Sequence, residues 1–374
     1  MYTLYTCDLL RLSFMALHQP PTNREYRTMT MINVALHNVA LGETQTFANL
    51  SITPLMAANG SQADYLTLAE AQALGLAVVT EVSESGSVPT LLLDNTSEQA
   101  VFLLDGEELV GAKQNRILNL SILVPAKTKL EIPVSCVEQG RWSHLTREFA
   151  SAERTFFSKG RARKAARVSE NLRDGSGRNS NQSEVWSDIG DKMRNMAVGS
   201  ATGAISDAYE HFSVSVDEYV AGFQVADNQI GACFAINGEI RGVELFDASA
   251  TCGKLMPKLI RSYALDAIEE QQSDVVADEL SVESFLEAVA AAQVDSFTAL
   301  GEGEDLRVHS SSITGGALAA RNRVIHLCAF SQESEEAATE RSGRMRRVSG
   351  RQDARADHLR QRDAFDDGDE FDLS

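Results

Sequence analysis

The chain lacks most signatures by which a function is read from sequence. Its five cysteines (Cys7, Cys136, Cys233, Cys252 and Cys328) are scattered and odd in number. None forms a C-x-x-C pair, so neither a zinc site nor a disulfide framework is indicated, and a reduced, cytoplasmic protein is expected. No apolar run approaches the roughly 20 residues needed to cross a bilayer. The early apolar residues Leu9, Leu10, Leu12, Phe14 and Met15 are interrupted by Arg11 and Ser13, unlike a secretion signal. There is no Walker-type P-loop, no G-x-G-x-x-G after a strand, no G-x-S-x-G elbow and no H-E-x-x-H. Positive charge is also scarce. Against 53 acidic residues stand 34 Lys and Arg, a net charge of −19. That balance argues against general nucleic-acid binding, because a polyanion is repelled unless a local basic face exists.

What is present is a chain of 374 residues with 43% hydrophobic content, enough for a sizeable core and an expected two domains. The expected fold class is α+β, with a β-sandwich-like N-terminal half followed by a mixed hairpin-and-helix half. Residues 1–30 read as an extension, with Met29 and Met31 as candidate later starts. Residues 31–145 read as a β-rich domain built of short, β-branched runs with turn residues between them. Residues 146–183 carry a dense set of arginines and lysines and read as a basic mobile segment, either a solvated loop or a flap over an anionic ligand. Residues 184–330 read as an α+β domain, in which Asn237-Gly238 and Arg321-Asn322 mark hairpin turns. Residues 331–374 are charged and nearly free of large apolar side chains, so a disordered tail is expected.

The densest polar signal runs from Asp105 to Trp142. It opens with Asp105, Glu107, Glu108, Lys113, Gln114, Asn115 and Arg116 and closes with Glu138, Gln139, Arg141 and Trp142. The apolar runs between would carry the two clusters back toward each other if they pair as neighbouring strands. Asp105, Glu108 and Glu138 are the candidate catalytic carboxylates. With Glu107 they are also candidate ligands for a divalent cation, since hard metals prefer oxygen. The bland reading is that Asp105 is a hairpin-turn residue and Glu107 an exposed one. Glu107 and Glu108 are adjacent, so in a strand they face opposite sides. Lys113, Arg116 and Arg141 suit phosphate or carboxylate, and Gln114 and Gln139 suit hydroxyls or a base edge. Trp142 suits stacking on a base or capping the core. Secondary candidates are Lys258 and Arg261, which share a helix face that reads as solvated, and His326 in the last strand.

The string GEELVGAKQNRILNLSILVPAKTKLEIPVSCVEQGRW, residues 106–142, resembles the ARG and Rhodanese-Phosphatase-superfamily-associated Protein domain family. The likeness continues through Leu41-Gly42-Glu43, through residues 231–247 and through Pro257-Lys258-Leu259, and covers about residues 32–330. The resemblance implies association with ADP-ribosylglycohydrolases, and so a place in NAD or ADP-ribose metabolism. It implies a nucleotide-like small molecule as partner, with no membrane. The alternative from a different class is a non-enzymatic interaction module that recruits through its charged tail.

Overall fold

The computed structural model describes residues 31–83, 86–87, 89–143, 145–271 and 279–332. The extension over 1–30 and the tail beyond residue 332 lie outside the described residues. The architecture is α+β. Its largest element is a nine-stranded antiparallel sheet that draws on both ends of the described chain. Strand Leu50–Met56 lies beside Gln229–Ile236, which pairs with Glu239–Phe246, and that strand pairs in turn with Arg323–Ser331. Ile313–Ala320, Glu304–His309 and Gln293–Thr298 complete the far side.

Side chains alternate across this sheet and feed two cores. Ala232, Phe234 and Ile236 face the helix Ser249–Glu269, with Phe234 stacked flat on Tyr263 at 3.9 Å between ring centres. Cys233, Val243 and Leu245 face the opposite side, where Ile32 and Leu36 of the helical residues 31–37 and Val282 and Leu286 of helix Glu279–Ala291 cover them. The asparagine and arginine turns close as hairpins. Asn237 and Gly238 take φ of 52° and 76°, and Arg321 and Asn322 take 52° and 61°, the backbone that tight two-residue turns demand.

The expected sandwich in the first half is instead a closed barrel beside a three-stranded sheet. The barrel runs in the order Thr128–Cys136, Thr90–Asn95, Ala77–Glu81, Phe149–Thr155, Glu107–Gly111 and Arg116–Leu118, and closes on itself. The apolar run over 117–124 breaks at Asn119. Arg116–Leu118 stays in the barrel, while Ile122–Val124 pairs with Ala100–Leu103 in the small sheet. Asp105-Gly106 is therefore no hairpin turn. It carries the chain from the small sheet into the barrel, with Gly106 at φ 75° and its Cα packed against Arg161. The division read at residues 145 and 184 does not follow the sheet either, because Leu50–Met56 pairs across it. Residues 146–183 hold barrel strand Phe149–Thr155 and helix Ser158–Arg173, with Arg161 and Lys164 fully buried. Helical periodicity there is masked in sequence because cations occupy inward positions that normally signal solvent. Among the described residues, no helix is long and apolar enough to cross a membrane.

Candidate functional site

The barrel has one end where Glu81, Gly111 and Cys136 finish their strands and Arg116, Thr90 and Phe149 begin theirs. Register decides which side chains point inward. Val79, Leu91, Leu93, Leu109, Leu118 and Val134 fill the barrel core. Glu81 lies two residues beyond Val79 and opposite Leu91. Arg116 lies two before Leu118, opposite both Leu109 and Cys136. Glu81, Arg116 and Cys136 therefore share the inward face at this mouth, above an apolar floor.

Arg116 is 0% exposed. Its Nη1 donates to Gln114 Oε1 at 3.0 Å, and weakly to the Asn115 carbonyl at 3.5 Å. Its Nε and Nη2 have no partner. These two nitrogens form one side of the guanidinium, with N–H bonds nearly parallel, the edge that receives two oxygens of a phosphate or carboxylate. Burial pulls this guanidinium below its ordinary range, and the facing Cys136 and Glu81 act against that fall. Glu81 mirrors the condition: both its carboxylate oxygens are buried and without a hydrogen bond. Native proteins leave few buried polar groups unpaired, and a paired set at one mouth points to a ligand or water that completes them. The Cys136 thiol sits 3.1 Å from Gln114 Oε1 and 3.2 Å from the Glu138 carbonyl, and burial pushes its pKa up. It is therefore protonated at neutral pH rather than poised as a thiolate.

Trp142 covers this group while remaining 49% exposed. Its ring lies 5.7 Å from the Arg116 guanidinium and 5.3 Å from Lys113 Nζ. The segment that carries it is pinned by Arg141, whose Nε and Nη2 grip Glu138 at 2.8 and 2.6 Å. Arg141 also donates to the Ala112 and Ser143 carbonyls and to Asn115 Oδ1. Glu138 accepts from the Asn115 backbone N–H as well. Burial alone would raise the Glu138 carboxyl, but Arg141 outweighs it and holds the pKa below the usual range. Asn115 Nδ2 reaches Glu108 Oε1 at 3.3 Å, and Arg154 bonds Glu108 from outside the barrel. Gln139 offers its carbonyl to Gln114 Nε2 at 3.4 Å, while its side chain is exposed. The two polar clusters of the sequence thus meet at one mouth. Lys113, Gln114, Arg116, Glu138, Gln139, Arg141 and Trp142 come together there, and Glu108 is linked to them through Asn115.

A family model matches residues 38–330, and its description is the ARG and Rhodanese-Phosphatase-superfamily-associated Protein domain. The chain belongs to that family. No curated protein and no solved structure matches it.

The remaining candidates of this family member lie away from the mouth. Asp105 takes Arg161 Nε at 3.2 Å and Lys164 Nζ at 2.7 Å, and Arg161 also forks onto Glu244 at 2.5 and 3.2 Å. His326 bridges Glu244 and Ser121 at 3.0 and 2.9 Å, and Ser121 Oγ accepts from the Asp105 backbone N–H. This network joins the barrel side to the large sheet, and its Asp105 and Ser121 also line a cavity of about 10 Å³, room for one water. Glu107 is not exposed: it is buried against Lys258 at 2.8 Å and Ser151 at 2.5 Å. Lys258 accordingly leaves the solvated face assigned to it, whereas Arg261 pairs with Asp217 on the surface. Neither Asp105, Glu107, Lys258, Arg261 nor His326 reaches Arg116.

Each carboxylate proposed for a divalent cation is already matched to its own cation: Asp105 to Lys164 and Arg161, Glu107 to Lys258, Glu108 to Arg154, Glu138 to Arg141. Among the described residues, one trio has donor atoms within 4.8 Å of one another, Glu244, His326 and Cys328. A metal there would have to displace the Arg161 fork.

These pairings fix an acid response. Burial opposes ionisation of Asp105 and Asp266, but Lys164 and Arg161 at the first and Lys192 and Lys159 at the second hold both carboxyls below their ordinary values. A depressed folded pKa gives stability that is present above the unfolded value of about 4 and is lost as pH falls toward the folded one. Glu138 adds to this, while Asp188, pushed up by burial, acts in the opposite sense. The urea midpoint is therefore expected to change little between pH 7 and 5 on account of these groups and to fall steeply below about pH 4. A midpoint that stayed level to pH 3 would remove the ion-pair account.

Glu81 was missed as a site residue. Its signal was present: in Ala77-Val78-Val79-Thr80-Glu81, the face carrying Ala77 and Val79 ends on a carboxylate. Cys136 and Arg154 carried no comparable signal.

Proposed function

We propose that the barrel mouth binds an ADP-ribose-like nucleotide, with a phosphate on the open edge of Arg116. The observation that carries this reading is the buried guanidinium whose Nε and Nη2 have no protein partner. A charge desolvated without partners destabilises the empty protein, and such strain is retained where a ligand relieves it. Lys113 adds positive potential beside the same indole. Trp142 offers a half-exposed π face for a base, and mouths of barrels are common places for small ligands. Gln114 and Gln139 stand where ligand hydroxyls would pass. Of the carboxylates read from the sequence, Glu138 borders the mouth, but Arg141 grips both its oxygens and holds its carboxyl low, which suits anchoring the Trp142 segment better than taking a proton. The family's association with ADP-ribosylglycohydrolases points the same way.

Binding can be followed by indole fluorescence and by melting. ADP-ribose and NAD are expected to perturb the emission of Trp142, with Trp142→Phe as control, and to raise the melting temperature. A ligand at a hundred times its Kd adds about 2.7 kcal/mol to stability. No shift in either signal at millimolar ligand, with and without magnesium, would remove the nucleotide reading.

A further inference from the structure

We infer that Glu81 receives a vicinal diol of the ligand, so that the mouth selects a ribose phosphate over a bare phosphate or a deoxy sugar. This rests on the reading of Arg116 as the anion site. The argument starts from what the two unpaired groups can accept. The free edge of Arg116 only donates, and it calls for an anionic group with two oxygens. An ionised carboxylate only accepts, so Glu81 calls for donors. An inorganic phosphate dianion satisfies the first and is repelled by the second.

Both oxygens of Glu81 are buried and unpaired, which asks for two donors set side by side. Adjacent hydroxyls on a furanose provide that spacing, and a carboxylate commonly takes ribose hydroxyls in this way. A carboxamide offers its two N–H bonds in diverging directions and would leave one oxygen of Glu81 unpaired. Strand register places Glu81 and Arg116 on the same inward face of the barrel, each opposite a leucine of the core, Leu91 and Leu109. Gly86 packs close to both charged groups: a methyl group added there would lie 3.3 Å from Glu81 Oε2 and 3.4 Å from Lys113 Nζ, closer than such contacts ordinarily are, and its φ of 77° suits glycine.

The probes are ribose 5-phosphate, 2-deoxyribose 5-phosphate and inorganic phosphate, titrated into the full chain with Trp142 emission and ligand-observed NMR as readouts. The 5-phosphate keeps both sugars out of the six-membered ring, and the deoxy sugar lacks the 2,3-diol. The wild type is expected to prefer ribose 5-phosphate over its deoxy counterpart by about tenfold or more, as for hydrogen bonds to a charged group. Glu81→Gln, which keeps the side-chain shape, is expected to abolish that preference while retaining binding of both sugars. Equal binding of the two sugars by the wild type would overturn the diol assignment and leave the anion site standing. A preference that survives in Glu81→Gln would overturn it too. If Arg116→Met binds all three probes as the wild type does, or no probe binds the wild type, the anion site itself fails and this inference with it.

Discussion

Replacing Arg161 by methionine is expected to destabilise the protein by about 3–5 kcal/mol, the range for breaking a buried ion pair from one side. Arg161 is fully buried, forks onto Glu244 and reaches Asp105, and its guanidinium lies 5.2 Å from the Phe330 ring centre. Burial opposes its charge, but Glu244 and Asp105 together hold its pKa well above the ordinary value. Methionine fills much of the volume and supplies no charge. Asp105 would keep Lys164, and Glu244 would be left with His326. Two buried carboxylates would then share less positive charge. Arg167 on the same helix is the control. Its side chain is 44% exposed and its partners Glu170 and Glu184 are exposed too, so Arg167→Met is expected to change stability by less than about 1 kcal/mol. Urea unfolding of the two variants reads the contrast, and similar midpoints for both would show that the network does not bear on stability.

Arg116→Met is expected to move stability in the other direction, making the empty protein more stable by about 1–3 kcal/mol, the cost of a buried unsatisfied polar group. The difference from Arg161 lies in the partners. Arg161 meets two carboxylates, whereas Arg116 meets a neutral amide and leaves two nitrogens unpaired. Gln114 Oε1 would still have the Cys136 thiol at 3.1 Å, whereas Glu81 would lose the facing positive charge, which places the gain at the lower end of that range. The same variant is expected to lose the response of melting temperature to ADP-ribose. A gain in stability coupled to a loss of binding marks a residue kept for its ligand. A fall in stability of several kcal/mol would instead make Arg116 a structural cation.

Much of the mouth was legible in the sequence, because its residues come from two short segments joined by strands. Lys113 to Arg116 and Glu138 to Trp142 needed only strand pairing to meet, and pairing of Arg116–Leu118 with Val134–Cys136 supplies it. The deeper network was not legible for a physical reason. Arg161 and Lys164 belong to a helix whose buried face carries cations, and periodicity reads cations as solvent-facing. Their partners Asp105 and Glu244 are 56 and 83 residues from Arg161 along the chain. Lys258 was misplaced on the same grounds, since its partner Glu107 is 151 residues away. Barrel closure was equally hidden. It depends on Phe149–Thr155 joining Ala77–Glu81 to Glu107–Gly111, and that strand lay inside a stretch whose charge reads as loop. Local turns were readable where the backbone demands it, as at Asn237-Gly238 and Arg321-Asn322. Asp105-Gly106 misled because a positive φ at glycine serves any sharp change of direction, hairpin or not.

The most direct test is the position of a bound phosphate. In crystals of the full chain soaked with ADP-ribose, two phosphate oxygens are expected within about 2.7–3.1 Å of Arg116 Nε and Nη2. A protein oxygen on that edge, or a nucleotide bound elsewhere with the edge unchanged, would contradict the assignment of the barrel mouth as the ligand site.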